Sequence, residues 1–244
     1  MKLVSLNIRH GGGTRILPIL GWLKAQLADV ILLTEWRANA NGLRLKRDLE
    51  ETGYMCLGDS RGPAANGLLI ASTHPFQMQG LTPQTSANGT ILAADLENGL
   101  RILCCYFPQR DAKRPFFSTC LDQAAQFDRP LLIIGDLNTG NNATDLEAGG
   151  AKFSCSDQFD KLTEDAGMVD LWRSSNGAHA REWTWHSSKN GFRIDHAFGN
   201  QMLISSNPNI KCWYDKSTME NGLTDHSGMI LKLTGLEGRN PARL

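Results

Sequence analysis

The sequence lacks an excess of charge of either sign, because 25 lysines and arginines balance 25 aspartates and glutamates. There is no overall basic character of the kind that marks many nucleic-acid-binding proteins, so any such contact must come from a local patch. No hydrophobic run reaches membrane-spanning length, and the first seven residues turn polar too soon for a signal peptide. These absences predict a soluble, cytoplasmic protein that makes no membrane contact.

The six cysteines show no C-x-x-C pair and no zinc-binding spacing. Cys104 and Cys105 lie inside an apolar run, where reduced thiols behave as small hydrophobic side chains, and a cytosolic compartment fits this pattern. Glycines 11–13 lack the spacing of a nucleotide-phosphate loop. The cysteines and glycines therefore predict neither a structural zinc site nor a P-loop.

No linker, charge block, low-complexity run or internal repeat divides the 244 residues. We therefore expect one domain over residues 1–236, followed by a short C-terminal tail at 237–244, in a protein that is a monomer.

The chain begins with a strand, a helix and a second strand. Residues 2–7 alternate towards a strand that ends at Asn7, and apolar residues recur at helical spacing over 14–27, with Thr14 as the expected N-cap. Residues 29–35 then predict a buried strand that ends in a carboxylate. This order is typical of a βαβ unit with two parallel strands.

The middle of the chain has strands without helices between them. Strands are predicted at 67–72, 90–95 and 100–106, and residues 97–99 form a tight hairpin turn between the last two. Helices are further predicted at 42–51, 114–127 and 156–166, and strands near 54–57, 131–136, 182–185, 193–198, 210–214 and 228–233. Parallel βαβ units together with hairpins predict an α/β fold, a four-layer α/β sandwich in which two mixed β-sheets pack face to face with helices outside.

The segment 130–138 carries the strongest functional signal. Pro130 is followed by four apolar residues and Gly135, a pattern typical of a short strand buried on both faces. Asp136 and Asn138 follow at positions i and i+2, so that both side chains leave the strand end in one direction. A carboxylate and a carboxamide at the same strand end indicate a functional site. The alternative is a turn in which Asp, Asn and Gly are present only for their backbone preferences.

Polar side chains end several other predicted strands. If these strand ends converge, they form a cluster of oxygen ligands with one imidazole, which favours magnesium or manganese over zinc and suits phosphoryl transfer. The residues concerned are Asn7, Glu35, Tyr106, Asp136, Asn138, Asp195, Asp225 and His226.

Six motifs in this order resemble the endonuclease/exonuclease/phosphatase superfamily over nearly the whole chain. Within the superfamily, the sequence is most similar to exonuclease III, an apurinic/apyrimidinic endonuclease. The motifs are Ser5-Leu-Asn7, Leu33-Thr-Glu35, Tyr106-Phe-Pro-Gln109, Gly135-Asp-Leu-Asn138, Arg193-Ile-Asp195 and Thr224-Asp-His226.

The resemblance implies a metal-assisted attack of water on a phosphodiester. Glu35 would be the main ligand of Mg²⁺, with Mn²⁺ as a possible substitute, and Asn7 and Asp225 would lie nearby as direct or water-mediated ligands. Asp136 would orient or deprotonate the water, and Asn138 would hold the water or a phosphate oxygen.

The remaining implied roles concern the phosphate and the rest of the substrate. His226, oriented by Asp195, would donate hydrogen bonds to the phosphate, and Tyr106 would place its hydroxyl against the phosphate or leaving group. The residues that would contact the substrate are Arg9, Gln109 and Trp185.

Structural roles are the alternatives for several of these residues. Asp225 and His226 could form only a loop pair, Asp195 could pair with Arg193, Tyr106 could be an edge aromatic, and Trp185 could belong to the core. Glu35 is harder to explain in this way, because a carboxylate that ends a buried strand needs a partner.

Three positions depart from the exonuclease III pattern: Thr34, Thr224 and Arg9. Arg9 has the largest consequence, because a cation there would disfavour a second metal and could bind phosphate instead.

The sequence therefore predicts a Mg²⁺-dependent phosphodiesterase that acts on DNA, at abasic sites or from 3′ ends. The alternatives are a hydrolase of the same fold that acts on RNA, nucleotides or phosphorylated lipid or inositol, and a non-catalytic nucleic-acid-binding protein.

Overall fold

The computed structural model describes residues 1–85 and 88–235. The predicted tail at 237–244 lies outside these residues. The strands are β1 Lys2–Asn7, β2 Val30–Trp36, β3 Met55–Asp59, β4 Gly67–Ser72, β5 Phe76–Gly80, β6 Thr90–Leu96, β7 Arg101–Tyr106, β8 Leu131–Asp136, β9 Val169–Asp170, β10 Trp185–His186, β11 Gly191–Phe192, β12 Asp195–Gly199, β13 Lys211–Asp215 and β14 Gly228–Lys232. The helices are α1 Ile16–Ala25, α2 Ala40–Glu50, α3 Arg114–Gln126, α4 Ser156–Glu164, α5 Leu171–Asn176, α6 Gln201–Ser206 and α7 Ser217–Glu220, with 3₁₀ turns at Gly13–Arg15 and Arg110–Lys113.

Twelve of the strands form two six-stranded sheets. The first has the order β13-β14-β1-β2-β4-β3, and the second has the order β5-β6-β7-β8-β12-β9. Each sheet contains one parallel pair, β1 with β2 and β7 with β8, and the other neighbours are antiparallel. The predicted α/β sandwich of two mixed sheets is confirmed.

Alternate residues of the central strands enter different cores. In β2, Leu32 packs into the core between the two sheets, whereas Leu33 packs under α1 and α2. In β8, Ile134 lies in the core between the sheets, and Ile133 packs under α3 and α4. Both strands are therefore buried on both faces, which explains why their sequences are continuous apolar runs.

The first helix differs from its prediction at both ends. It begins at Ile16 because Gly13–Arg15 form a 3₁₀ turn, and Thr14, which was predicted to be the N-cap, lies inside that turn. It ends at Ala25, and Leu27 has a left-handed backbone with φ 48°. Thr14 as the N-cap is therefore wrong.

Several short elements were not predicted. Strand β5 was not predicted although its sequence alternates apolar Phe76 and Met78 with two glutamines, and both apolar residues pack against the core between the sheets. Helices α5, α6 and α7 have four to six residues, which is too short to show helical periodicity. No helix among the described residues has the length and apolar character needed to cross a membrane.

Candidate active site

The two parallel strand pairs bring polar side chains to one edge of the sandwich. Asn7 ends β1 and Asp136 ends β8, which belongs to the other sheet. The Asn7 Nδ2 amide donates to Asp136 Oδ2 at 2.9 Å and also faces Glu35 Oε1 at 3.2 Å. One carboxamide therefore links two carboxylates across the gap between the sheets.

Glu35 stands on a strained backbone. A bulge interrupts the pairing of β2 with β4 between Thr34 and Trp36, and Glu35 itself has φ 57°. Its Oε2 accepts from the His10 backbone N–H at 2.7 Å, and the Tyr106 hydroxyl lies 3.3 Å from Oε1. A left-handed glutamate persists only where its surroundings hold it, so these donors fix the carboxylate at the site.

Asp136 is 2% exposed, and its position depends on the glycine before it. Gly135 has φ 140°, and a Cβ there would lie 2.1 Å from the Cys105 carbonyl oxygen, so only glycine lets β8 approach β7 so closely. Burial, reinforced by the negative charge of Asp195, raises the pKa of Asp136 above the ordinary range of an aspartate. Such a carboxylate is suited to accept a proton near neutral pH.

Asn138 follows Asp136 in a left-handed conformation, with φ 51°. Its backbone N–H donates to Asp136 Oδ1 at 2.9 Å, and its Nδ2 donates to the Phe107 carbonyl at 2.8 Å. Gln109 Nε2 donates to Asn138 Oδ1, and Lys113 Nζ donates to the Asn138 carbonyl. The chain therefore bends at Asn138, and this bend delivers two side chains to the site.

His226 and Asp195 form a buried pair. His226 Nδ1 lies 2.8 Å from Asp195 Oδ2, and the two residues are 5% and 4% exposed. Burial alone would lower the pKa of His226, but Asp195 outweighs it and raises this pKa to about 9. The imidazole is therefore positively charged at neutral pH.

Three of the predicted site residues lie close together. Asp195 is the register partner of Asp136 in the antiparallel pair β12 and β8. Possible ligand atoms of Asp136, Asp195 and His226 lie within 4.8 Å of one another. The strand pairing therefore places the imidazolium beside the carboxylate with the raised pKa.

Arg193 is not the partner of Asp195. It is fully buried, and its guanidinium binds Asp145 at 2.7 Å and Asp170 at 2.5 Å. Asp145 follows the Asn138 turn, and Asp170 ends β9, so this network ties the segments around the site together. Arg173 also binds Asp145, and the structural role expected for Asp195 belongs to these two aspartates.

Arg9 and Asp225 lie at the exposed side of the site. Arg9 Nε is 3.5 Å from Asp225 Oδ2, and more than a third of each side chain is exposed. The Thr224 hydroxyl donates to the Asn7 carbonyl at 2.7 Å, which holds the Asp225 segment against β1. The cation at position 9 therefore partly neutralises Asp225.

Lys113, His10 and Arg37 were missed by the sequence analysis. His10 Nδ1 lies 3.2 Å from Glu35 Oε2 and 3.0 Å from an Arg37 guanidinium nitrogen. Lys113 lies in a polar segment, where charged residues are mostly surface groups. His10 lies three residues after the end of β1 and Arg37 directly after the end of β2, so both offered a positional signal.

The oxygen donors around Glu35 fit a hard divalent cation. Glu35 and Asp225 are carboxylates, and no cysteine lies among these residues. Asn7 turns its amide nitrogen to Glu35, while its oxygen accepts from the Arg9 N–H at 2.8 Å, so direct ligation would require the amide to turn. Possible ligand atoms of Asp136, Asp195 and His226 form a second group that could hold a cation, although the Nδ1 of His226 is already paired with Asp195.

An aromatic pocket adjoins Asn138. It has a volume of about 250 Å³ and is lined by Gln109, Asn138, Phe153, Trp185, Phe192 and Ile194. Trp185 is only partly buried and packs against Phe192 with ring centroids 5.9 Å apart. Trp185 therefore belongs to the rim of the site rather than to the core.

Comparison with known proteins places this arrangement among related folds. A family model described as "Endonuclease/Exonuclease/phosphatase family" matches residues 4–226. Comparison with curated proteins finds no match.

Three solved structures share the fold. An AP endonuclease from Archaeoglobus fulgidus is 16% identical with a TM-score of 0.78, and a 3′ phosphatase, NExo from Neisseria bound to a product DNA hairpin, is 18% identical with a TM-score of 0.78. A 3′-5′ exonuclease, NExo from Neisseria meningitidis, is 19% identical with a TM-score of 0.76. In each case the alignment covers 96% of this chain and 99% of the other.

Proposed function

This chain belongs to the endonuclease/exonuclease/phosphatase family, and from that premise we propose that it is a Mg²⁺-dependent phosphodiesterase that hydrolyses DNA. The family consists of hydrolases that act on phosphate esters, so the expectation of an enzyme is confirmed. The observation that carries the proposal is the buried Asp136, which lies beside the Asp195–His226 pair and is linked through Asn7 to Glu35.

Asp136 acts as the general base in this proposal. Its raised pKa lets it take a proton from a water molecule that attacks the phosphorus. The Asn138 amide nitrogen uses one hydrogen for the Phe107 carbonyl, and its second hydrogen is available to the water or to a phosphate oxygen. No covalent enzyme intermediate is needed.

His226 and Tyr106 serve the phosphate and the leaving group. Because Asp195 Oδ2 accepts a hydrogen bond from the Nδ1–H of the imidazolium, the Nε2–H of His226 is left to donate to a phosphate oxygen. Burial and the neighbouring Glu35 raise the pKa of Tyr106, so its hydroxyl stays protonated, and its one hydrogen, which faces Glu35 Oε1 here, would turn to the substrate. Both groups favour negative charge that develops on oxygen.

Glu35, with Asn7 and Asp225, would hold the metal. A bound Mg²⁺, or Mn²⁺ in its place, supplies neutralisation of phosphate charge and stabilisation of the leaving oxygen. Arg9 holds Asp225 by an ion pair, and it contributes a positive charge where a second metal would otherwise be favoured.

The aromatic pocket supports DNA as the substrate. Trp185 and Phe192 offer flat faces for a base or a deoxyribose, and Gln109 lies at the same pocket. The solved structures with this fold include an AP endonuclease and a 3′-5′ exonuclease. We therefore propose cleavage at abasic sites, from 3′ ends, or both.

Removal of a terminal 3′ phosphate is the second candidate activity. A solved structure of the same fold is a 3′ phosphatase bound to a product DNA hairpin. The same base, imidazolium and metal would serve this reaction, and only the end of the substrate would differ.

One assay panel tests these proposals. The protein is incubated with Mg²⁺ and duplex DNA that contains an abasic analogue, plain duplex, single-stranded DNA, 3′-phosphorylated DNA, RNA and a bis-phenyl phosphate ester. Asp136→Ala is the inactive variant, and Asp157→Asn on the exposed surface of α4 is the matched control. We expect metal-dependent cleavage of DNA by the wild type and the control only.

The panel can also contradict the proposal. Cleavage of RNA or of the small ester without cleavage of DNA would assign another substrate. Complete inactivity of a folded, metal-loaded protein would favour a non-catalytic role.

A further inference from the structure

Lys113 is a buried charge that the proposed mechanism does not use. It ends the 3₁₀ turn Arg110–Lys113, is 1% exposed, and directs its ammonium to the Asn138 carbonyl oxygen. Within residues 1–85 and 88–235, no carboxylate lies within 4.0 Å of this ammonium. Lysines are almost never fully buried without such a partner, so the position calls for an explanation.

Packing does not explain the ammonium. A methionine or leucine could fill a similar volume without the cost of removing a charge from water. Burial lowers the pKa of Lys113 to about 8, so this cost is real and the group is still mainly charged at neutral pH. The ammonium lies on the carbonyl of Asn138, whose backbone N–H binds Asp136 Oδ1, so one residue connects the charge to the candidate base.

Asn138 is held from two sides by one short segment. Phe107 accepts from its side-chain amide and Gln109 donates to its side-chain oxygen, whereas Lys113 binds its backbone carbonyl. Residues 107–113 thus enclose Asn138. Its backbone, with φ 51°, has a conformation that is unfavourable for residues other than glycine. Without Lys113, the hydrogen bond to the Asn138 carbonyl is lost.

The next carbonyl is held by an uncharged donor. His196 Nε2 lies 2.8 Å from the Thr139 carbonyl, and burial lowers the pKa of His196 to about 4, so its imidazole is neutral. A neutral side chain is therefore sufficient to hold a carbonyl in this turn. The charge on Lys113 indicates a role beyond that of a hydrogen-bond donor.

We propose that Lys113 is a positioning residue for the reaction: its buried ammonium holds Asn138 in the left-handed conformation and thereby fixes the backbone N–H that binds Asp136. The conformational part stands on the contacts alone. The effect on rate rests on the proposed function, because it assumes that Asn138 and Asp136 act on a phosphate ester.

The test compares Lys113→Met with the wild type in two measurements. Hydrogen exchange of the Asn138 amide, which donates to Asp136 Oδ1, reports the conformation of the turn without any substrate. Steady-state kinetics on a DNA phosphodiester report the chemical step. We expect amide exchange about tenfold faster or more, and kcat lower by about 10- to 100-fold with KM changed by less than about threefold.

Two further variants separate positioning from packing. In Lys113→Ala, added ethylammonium should restore part of kcat, since it returns the charge and the donor to the vacated space. Leu162→Ala, in the core under α4, serves as a variant destabilised by cavity formation that should keep the wild-type kcat below its unfolding temperature.

The proposal is wrong if Lys113→Met keeps both the amide protection and the kcat of the wild type, or if ethylammonium leaves folded Lys113→Ala unchanged. An equal loss of kcat in Leu162→Ala would also overturn it. If the wild type cleaves no phosphodiester, the proposed function fails, and the amide exchange of Lys113→Met still decides whether Lys113 holds the turn.

Discussion

Replacement of Asp195 by asparagine should remove two charges from the site: the negative charge of Asp195 itself and the positive charge of His226. The pKa of His226 stands at about 9 against an ordinary value of 6.5, and Asp195 is the main group that raises it. This difference corresponds to about 3 kcal/mol in favour of the charged imidazole. Because His226 is 5% exposed, solvent screens little of this interaction.

In Asp195→Asn, burial becomes the dominant influence on His226. Its pKa should fall towards or below 6.5, so that the imidazole is mainly neutral at pH 7.5. Two effects on the pKa of Asp136 oppose each other in this variant, because the negative charge of Asp195 raises that pKa and the positive charge of His226 lowers it. The loss of the imidazolium should reduce kcat by roughly 100-fold, the usual effect of removing one donor to a developing oxyanion.

The assay for this prediction is an NMR titration of the imidazole nitrogens without metal. The His226 signals are identified by their absence in His226→Asn. Asp225→Asn is the matched control, because Asp225 also raises the pKa of His226 but has more than a third of its side chain in solvent. Its effect on the titration should be clearly smaller.

A His226 that stays charged at pH 8 in Asp195→Asn would refute the reasoning. A control variant with an equal downward shift would refute the assignment of Asp195 as the main partner.

Glu35→Ala should lose activity that a higher metal concentration partly restores, whereas His226→Ala should show no such rescue; the same metal titration curve for both would contradict the division of roles. The wild-type kcat should rise with pH as Asp136 loses its proton, above the usual range of a carboxylate, and fall in two steps, near pH 8 as Lys113 loses its proton and near pH 9 as His226 loses its proton. His226→Asn should keep the step near pH 8 and lose the step near pH 9, and a remaining step near pH 9 would assign it elsewhere. Arg193→Met should destabilise the protein by about 3–5 kcal/mol in urea denaturation, because two buried aspartates lose their fully buried partner and keep only Arg173; a loss below about 1 kcal/mol would show that the network is dispensable. Gly135→Ala should weaken the pairing of β7 and β8 and lower the melting temperature, and an unchanged value would refute the close approach at Cys105.

The central strands could be predicted from the sequence because strands that are buried on both faces have apolar residues at successive positions. Leu32 and Leu33 enter opposite cores, so an apolar residue is needed at each position. The edge strand β5 could also have been predicted, because Phe76 and Met78 alternate with glutamines at the period of a strand. The helices of four to six residues could not, since they are too short to show a helical period.

The site residues at strand ends could be predicted for the same reason. Asp136 and Glu35 end apolar runs, and parallel strands bring their carboxyl ends to one edge. Lys113 could not be found in this way, since it lies in a polar segment and its partner is the backbone of Asn138, 25 residues further along the chain. Asp145 and Asp170, the partners of Arg193, could not be predicted for a related reason. They lie in a loop and in the two-residue strand β9, and neither segment shows a periodic pattern.

Left-handed backbone is concentrated where the chemistry is proposed. In residues 1–85 and 88–235, seven non-glycine residues have positive φ, and Arg9, His10, Glu35 and Asn138 are among them. Each such residue costs on the order of 1 kcal/mol. Replacement of Glu35 by glycine would remove this destabilisation, but it would also remove the carboxylate. Selection for heat resistance alone would therefore enrich for inactive proteins, and a thermostable, active variant has to be sought in the sheets and helices away from this edge.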